Sequence, residues 1–265
     1  VADAGSRVTV PARWTSPEGS VVRDAAAHAG QRLTLAGVVE QSSNVGISQL
    51  AVRLTNTTRY GYMTAFGLGA ATEVGFQGES VGLLAERWDD QQKYDVAYGQ
   101  GVTASLAQLL SIYQTLGNNG VRLPVTLVTG CTHADGSVTD VVAGTPRAVV
   151  SEAAADTTVQ MMEGVVTGGG LAKELQIPGY RVAAKSGTAQ VAANGRYTSD
   201  RVVSIAGLAP AEDPQYAVVV MFVKPSTMKT SAAAAPTFKK IMTKVLATYR
   251  VTPSTTPPPL LPTTW

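Results

Sequence analysis

A chain of 265 residues that is 45% hydrophobic and 15% charged can bury a full core, as one large or two small domains. Its 21 Lys and Arg against 19 Asp and Glu leave a formal net charge of +2, with no basic run interleaved with aromatics, which argues against a nucleic-acid partner. The single cysteine, Cys131, excludes an intrachain disulfide and a thiolate metal centre and reads as a small, half-buried hydrophobe; no stretch approaches the ~18 apolar residues of a membrane span, and VADAGSRVTV lacks a signal-peptide pattern, so any anchor is expected outside this chain.

Residues 33–54, LTLAGVVEQSSNVGISQLAVRL, carry apolar side chains at helical spacing. The polar step Gln41-Ser42-Ser43-Asn44 interrupts them, which predicts a turn between two helices. Thr103 is the expected cap of a helix over SLAQLLSIYQTL, stopped at Gly117-Asn118-Asn119-Gly120. Ser151 caps a second helix through Val166, and Gly168-Gly169-Gly170 then breaks the pattern, as a linker or a substrate-facing loop. Beyond it the period changes to that of strands. YRVAAKSGTAQV, DRVVSIAGLAP and QYAVVVMFVK, joined at Asn194-Gly195 and Glu212-Asp213-Pro214, read as an antiparallel meander. Residues 232–249 then read as a helix covering one sheet face. The domain is expected to span 1–250, followed by a proline-rich tail over 251–265 that is extended or disordered.

The segment AAKSGTAQ (183–190) puts a lysine and two hydroxyls around a glycine on one of these strands. A strand lysine is ordinarily a solvated edge charge. The tripeptide K-[ST]-G arises by chance in about one chain in ten of this length, and S-x-N far more often, so neither decides alone. Their context does: Lys185-Ser186-Gly187 on a sheet strand, and Ser42-Ser43-Asn44 at a turn among helices far upstream, together form the pairing that, with S-x-x-K, marks penicillin-binding proteins and class A β-lactamases.

From about Val8 to Tyr249 the sequence resembles the transpeptidase domain of class B penicillin-binding proteins, closest to the actinobacterial cell-division type. EQSSNVGISQLA (40–51), FGLGAATEVGFQGESVGLL (66–84), YGQGVTASLAQLLSIYQTLGNNGV (98–121), IPGYRVAAKSGTAQV (177–191) and AAAAPTFKKI (232–241) carry the likeness in the family's order. Ala184 stands where a glycine is usual and Ser186 where threonine is common; both keep the residue small, and the serine keeps the hydroxyl. The resemblance implies an α/β fold of the serine β-lactamase-like kind, an antiparallel sheet flanked by helices.

It further implies a serine nucleophile in S-x-x-K some fifty residues before S-x-N, ahead of Val1. The sole S-x-x-K match, Ser226-Thr227-Met228-Lys229, lies on the wrong side of the lysine motif and reads as an exposed loop. The chain is therefore expected to be a piece lacking its first strands and its nucleophile helix. Such a piece would be inactive alone and would expose a sheet edge and apolar surface on the 33–54 and 232–249 helices.

By the same resemblance, Ser42 and Lys185 belong to a proton relay, with Lys185 polarising the Ser42 hydroxyl. Asn44 holds the substrate's peptide amide, Gly187 admits close backbone approach, and Ser186 and Thr188 offer hydroxyls to a C-terminal carboxylate. The Thr188 N–H serves as one oxyanion donor. The implied activity is peptidoglycan D,D-transpeptidation without cofactor or metal, with stem peptides, β-lactams and other division proteins as partners. The implied place is the outer face of the cell membrane at the septum, held by an upstream anchor. The rivals are a D,D-carboxypeptidase or β-lactamase-like hydrolase, the latter without the E-x-x-L-N pattern that positions a deacylating water, and a catalytically silent division scaffold. His28 and His133 lie in polar turns without a nucleophile elbow and read as solvated, while Glu79 and Asp24 default to salt-bridge or capping roles.

Overall fold

Hydroxyl caps and alternating apolar residues punctuate the chain in the computed structural model, which describes residues 2–140, 144–193 and 195–265. Strands β1 (Arg7–Val10) and β4 (Gln31–Thr34) pair antiparallel around the short hairpin β2 (Trp14–Thr15) and β3 (Val21–Val22). Helices α1 (Leu35–Gln41), α2 (Asn44–Ala51), α3 (Asn56–Ala65) and α4 (Gln92–Asp95) follow, the last running into a 3₁₀ turn at Val96–Tyr98. Helix α5 (Leu106–Gly117) leads through the small ladders of β5 (Val121–Arg122) with β8 (Arg147–Ala148) and β6 (Gly130–Thr132) with β7 (Val138–Asp140) to α6 (Glu152–Thr167) and α7 (Ala172–Leu175). The chain then builds β9 (Ala183–Ala193), β10 (Arg196–Ala209) and β11 (Tyr216–Val223), a 3₁₀ turn at Ser231–Ala233, and α8 (Ala235–Thr248).

The meander expected from the alternating runs forms, antiparallel throughout in the order β11-β10-β9, so the lysine motif lies on an edge strand. Of its expected turns, Asn194-Gly195 falls partly outside the described residues. Alternation sends the two faces of the sheet to different cores. On one, Ala184, Ile205, Val218 and Val220 pack against Phe238, Met242 and Leu246 of α8, each of these three fully buried. Burying each contributes roughly 1.5–3 kcal/mol. On the other, Ala183 and Leu208 meet Val159 and Met162 of α6, with Tyr113 and Leu116 of α5 alongside. A third core joins β1, β4, α1 and α2 through Val10, Leu33, Val38 and Val45.

Several expectations are corrected. Leu33 and Thr34 belong to β4, and Thr34 is the cap of α1, accepting from the Gly37 N–H at 3.1 Å. Ser105, not Thr103, caps α5: its hydroxyl accepts from the Gln108 N–H while the Gln108 side chain accepts from the Ser105 N–H, a reciprocal box, and Thr103 instead bridges Leu83. Cys131 is exposed on β6. The exposure expected of the 33–54 and 232–249 segments is present at Val52, Ile241 and Tyr249, which are 41%, 42% and 64% exposed, and α5 adds Leu106 at 51% while burying Gln108, Ser111 and Thr115.

The tail beyond Tyr249 is extended but docked. The Tyr180 hydroxyl donates to the Val251 carbonyl, Ser254 N–H to the Gly179 carbonyl, and Thr34 N–H to the Thr263 carbonyl, while the Trp265 ring lies against the guanidinium groups of Arg7 and Arg32. Gly37 makes this approach possible, because a Cβ there would stand 2.0 Å from the Thr263 oxygen. Residues 251–265 thus strap the sheet to the β1–β4 ladder.

Candidate active site

The end of α1 supplies one side of the candidate site. Ser42 closes the helix in the left-handed region, φ 57° and ψ 45°, with its N–H on the Val39 carbonyl, a conformation uncommon for a residue with a side chain. Ser43 then caps α2, accepting from the Gly46 N–H at 2.9 Å. The left-handed Ser42 and the extended Ser43, at φ −74° and ψ 114°, separate the two helices.

Asp24 fixes this turn from outside. Its carboxylate accepts from the Ser43 hydroxyl and the Val45 N–H, both at 2.9 Å, and from His28 Nε2 at 3.0 Å. His28 Nδ1 in turn accepts from the Gly30 N–H. Asp24 therefore has the capping role expected of it, whereas His28 is a half-buried strut rather than a solvated ring. Its four-residue spacing from Asp24 was the available signal. His133 is exposed, against Thr139. Glu79 accepts from the Thr72 N–H and hydroxyl and from the Ser105 hydroxyl, a local brace.

Lys185 arrives from β9, 143 residues later, and its Nζ donates to Ser42 Oγ at 2.7 Å and to the Ser186 carbonyl at 3.0 Å. Lys185 and Ser42 therefore meet on the α6 face of the sheet, as a shared cleft requires. Burial pushes the lysine down from its ordinary 10.5 to about 8, and among the described residues no carboxylate pairs with it to restore the charge. A lysine in that state can take a proton from a neighbouring hydroxyl and return it near neutral pH.

Asn44 shares the turn with Ser42, and its Nδ2 donates to the Arg23 carbonyl at 3.1 Å, leaving the side-chain oxygen and one N–H uncommitted. Gly187 lies over Ser204, whose Oγ would stand 2.7 Å from a Cβ at position 187, so any side chain there would press on the Ser204 hydroxyl. Ser186 and Thr188 alternate to the α8 side of the same strand. Thr188 Oγ1 accepts from the Ser231 N–H at 3.1 Å, a contact invisible to sequence reasoning because the donor is a main-chain group. Ser226 lies exposed in the loop after β11. Among the described residues no three His, Cys, Asp or Glu side chains gather as a metal site.

Comparison with known proteins gives the family. The family model for the penicillin binding protein transpeptidase domain matches residues 6–243. The chain is 36% identical over 250 residues to the peptidoglycan D,D-transpeptidase FtsI of Escherichia coli, covering 92% of this chain and 40% of that protein. It is 34% identical over 258 residues to the penicillin-binding protein PbpB of Mycobacterium tuberculosis, covering 92% and 38%. The crystal structure of penicillin binding protein 3 from Mycobacterium tuberculosis, complexed with ampicillin, superposes with a TM-score of 0.91 at 31% identity, covering 100% of this chain and 61% of that one. The chain thus spans about two fifths of the length of these curated relatives.

Proposed function

The chain belongs to the penicillin-binding protein transpeptidase family, and from that premise we propose that it is the major part of a D,D-transpeptidase domain that cross-links peptidoglycan stem peptides in septal wall synthesis. The observation that carries the proposal is the 2.7 Å bond between Lys185 Nζ and Ser42 Oγ, made by a lysine that burial has pushed to about 8. A surface lysine has neither property.

In this reading a serine of an S-x-x-K segment outside residues 1–265 attacks the carbonyl of the penultimate D-residue. Its proton passes to the leaving amine through a relay that includes Ser42 and Lys185. The tetrahedral oxyanion is held by main-chain N–H groups, one of them that of Thr188; β9 is an edge strand, so alternate N–H groups face away from the ladder. Asn44 receives the substrate's peptide amide with the donor and acceptor that its bond to Arg23 leaves free. Gly187 lets the substrate backbone lie close to the strand, and Ser186 and Thr188 donate to the terminal carboxylate. An incoming amine then reverses the steps. β-Lactams acylate the same serine, and the mature protein is held at the outer face of the membrane, among other division proteins, by a segment beyond this chain.

Labelling with fluorescent penicillin tests the reading. Residues 1–265 alone should take no label, and the same residues mixed with a polypeptide carrying the S-x-x-K helix should take one. An adduct on Ser226, or an unlabelled but well-folded mixture, would sink the assignment, the second outcome favouring a silent scaffold.

A further inference from the structure

The bond between Thr188 and Ser231 joins residues 43 apart in the chain, and its direction matters. A threonine hydroxyl has one proton and two lone pairs. The Ser231 N–H occupies one lone pair of Oγ1, so the proton cannot point toward the 3₁₀ turn, and among the described residues no acceptor takes it. Alternation along β9 puts this hydroxyl on the same side as Ser186, the side from which the Ser231–Ala233 turn enters α8. A hydroxyl left to rotate would divide its proton among three staggered directions, whereas this one keeps two, both away from the turn.

We propose that Ser231 is a positioning residue for substrate recognition: its main-chain N–H occupies one lone pair of the Thr188 hydroxyl and keeps the proton off the turn, available to donate to the terminal carboxylate of a stem peptide or a β-lactam. The proposal rests on the carboxylate-binding role assigned above to Thr188. It makes the turn between β11 and α8 a working part of the cleft, although the contributing group is neither a side chain nor in contact with the ligand.

The donor can be deleted cleanly. Thr230 is extended, at φ −123° and ψ 162°, the conformation favoured before proline, and Ser231 opens a short helical turn, where a proline ring fits and its missing N–H breaks no helical bond. Ser231→Pro therefore removes the N–H that serves Thr188, and Ser231→Ala keeps it. The measurement is the second-order acylation rate of the full-length protein by benzylpenicillin and by its methyl ester, which lacks the carboxylate. The native protein should favour the acid. Ser231→Pro should lose about two- to threefold in rate toward the acid, the lower end of one hydrogen bond's worth because the hydroxyl is no longer oriented and polarised by the N–H, with the ester rate retained, and the preference should return in Ser231→Ala.

An unchanged acid rate in Ser231→Pro, or equal losses for acid and ester, overturns the proposal. If the native protein itself treats acid and ester alike, the carboxylate role of Thr188 fails first and takes the proposal with it. Should Ser231→Pro not fold, amide exchange in Thr188→Val decides: the Ser231 N–H should exchange faster and the preference for the acid should fall, while undiminished protection overturns the assignment.

Discussion

Replacing Lys185 by methionine should make the protein more stable at neutral pH, and the gain should disappear in alkali. Burial lowers the lysine from 10.5 to about 8, so its charged form is penalised in the folded state by about 3 kcal/mol. Between those two values the unfolded chain binds more protons than the folded one, so native stability rises with pH across that window and the penalty is fully present below it. Lys185→Met removes the penalty and loses the bond to Ser42, worth about 1 kcal/mol. The net expectation is a gain of about 2 kcal/mol at pH 7, shrinking to a few tenths at pH 9.5. Urea unfolding of both proteins at the two pH values gives the difference directly, and other titrating groups cancel in the comparison. A stability difference that is the same at both pH values would refute the reasoning, because it would show that the half-buried lysine is not held against its charge. The same substitution should abolish penicillin labelling in the complemented domain, a trade of stability for activity typical of a strained site.

Glu163 is buried on α6 and takes both arms of the Arg181 guanidinium, at 2.6 and 2.8 Å. Glu163→Ala should cost roughly 3 kcal/mol in urea unfolding, the lower end for breaking a buried pair, because Glu212 at 3.8 Å offers the arginine partial compensation; a loss under 1 kcal/mol would mean that the pair is solvated. Gly37→Ala should lift the tail from the β1–β4 ladder, since its Cβ would collide with the Thr263 carbonyl. Faster proteolysis after residue 250 and altered Trp265 emission would report it, whereas a wild-type cleavage pattern would show that the strap is not held there. Asp24→Ala removes two hydrogen bonds from the Ser43–Val45 turn and should cost about 1–2 kcal/mol, with labelling reduced further than stability accounts for. Equal loss of both would make Asp24 a cap and nothing more.

Local features were legible because local physics produces them. The break at Gln41–Asn44, the hydroxyl cap at Ser151, the change of period before Ala183 and the three alternating runs each arise from neighbours in the chain, and the helices and meander follow. The cap on α5 also has a local signal, the Ser105-to-Gln108 spacing, which competes with a threonine two residues earlier.

The family resemblance implied that Ser42 and Lys185 share one site, but no periodicity could bring them within 2.7 Å. That depends on α1 and β9 packing against α6 from distant parts of the chain. The tail is the clearest case. VTPSTTPPPLLPTTW has no pattern that distinguishes a docked strand from a solvated one, since proline removes the ladder donors and leaves extended backbone in either state. Docking was decided by what the fold presents to it: a glycine in α1, a free carbonyl of Gly179, and two arginines flanking the place where Trp265 lies. The sequence determined the elements and the reactive groups. The tertiary structure decided which of those groups meet, how far burial shifts Lys185, and that a main-chain N–H of Ser231 reaches the Thr188 hydroxyl, because each of these depends on the dielectric and geometry made by residues far away in the chain.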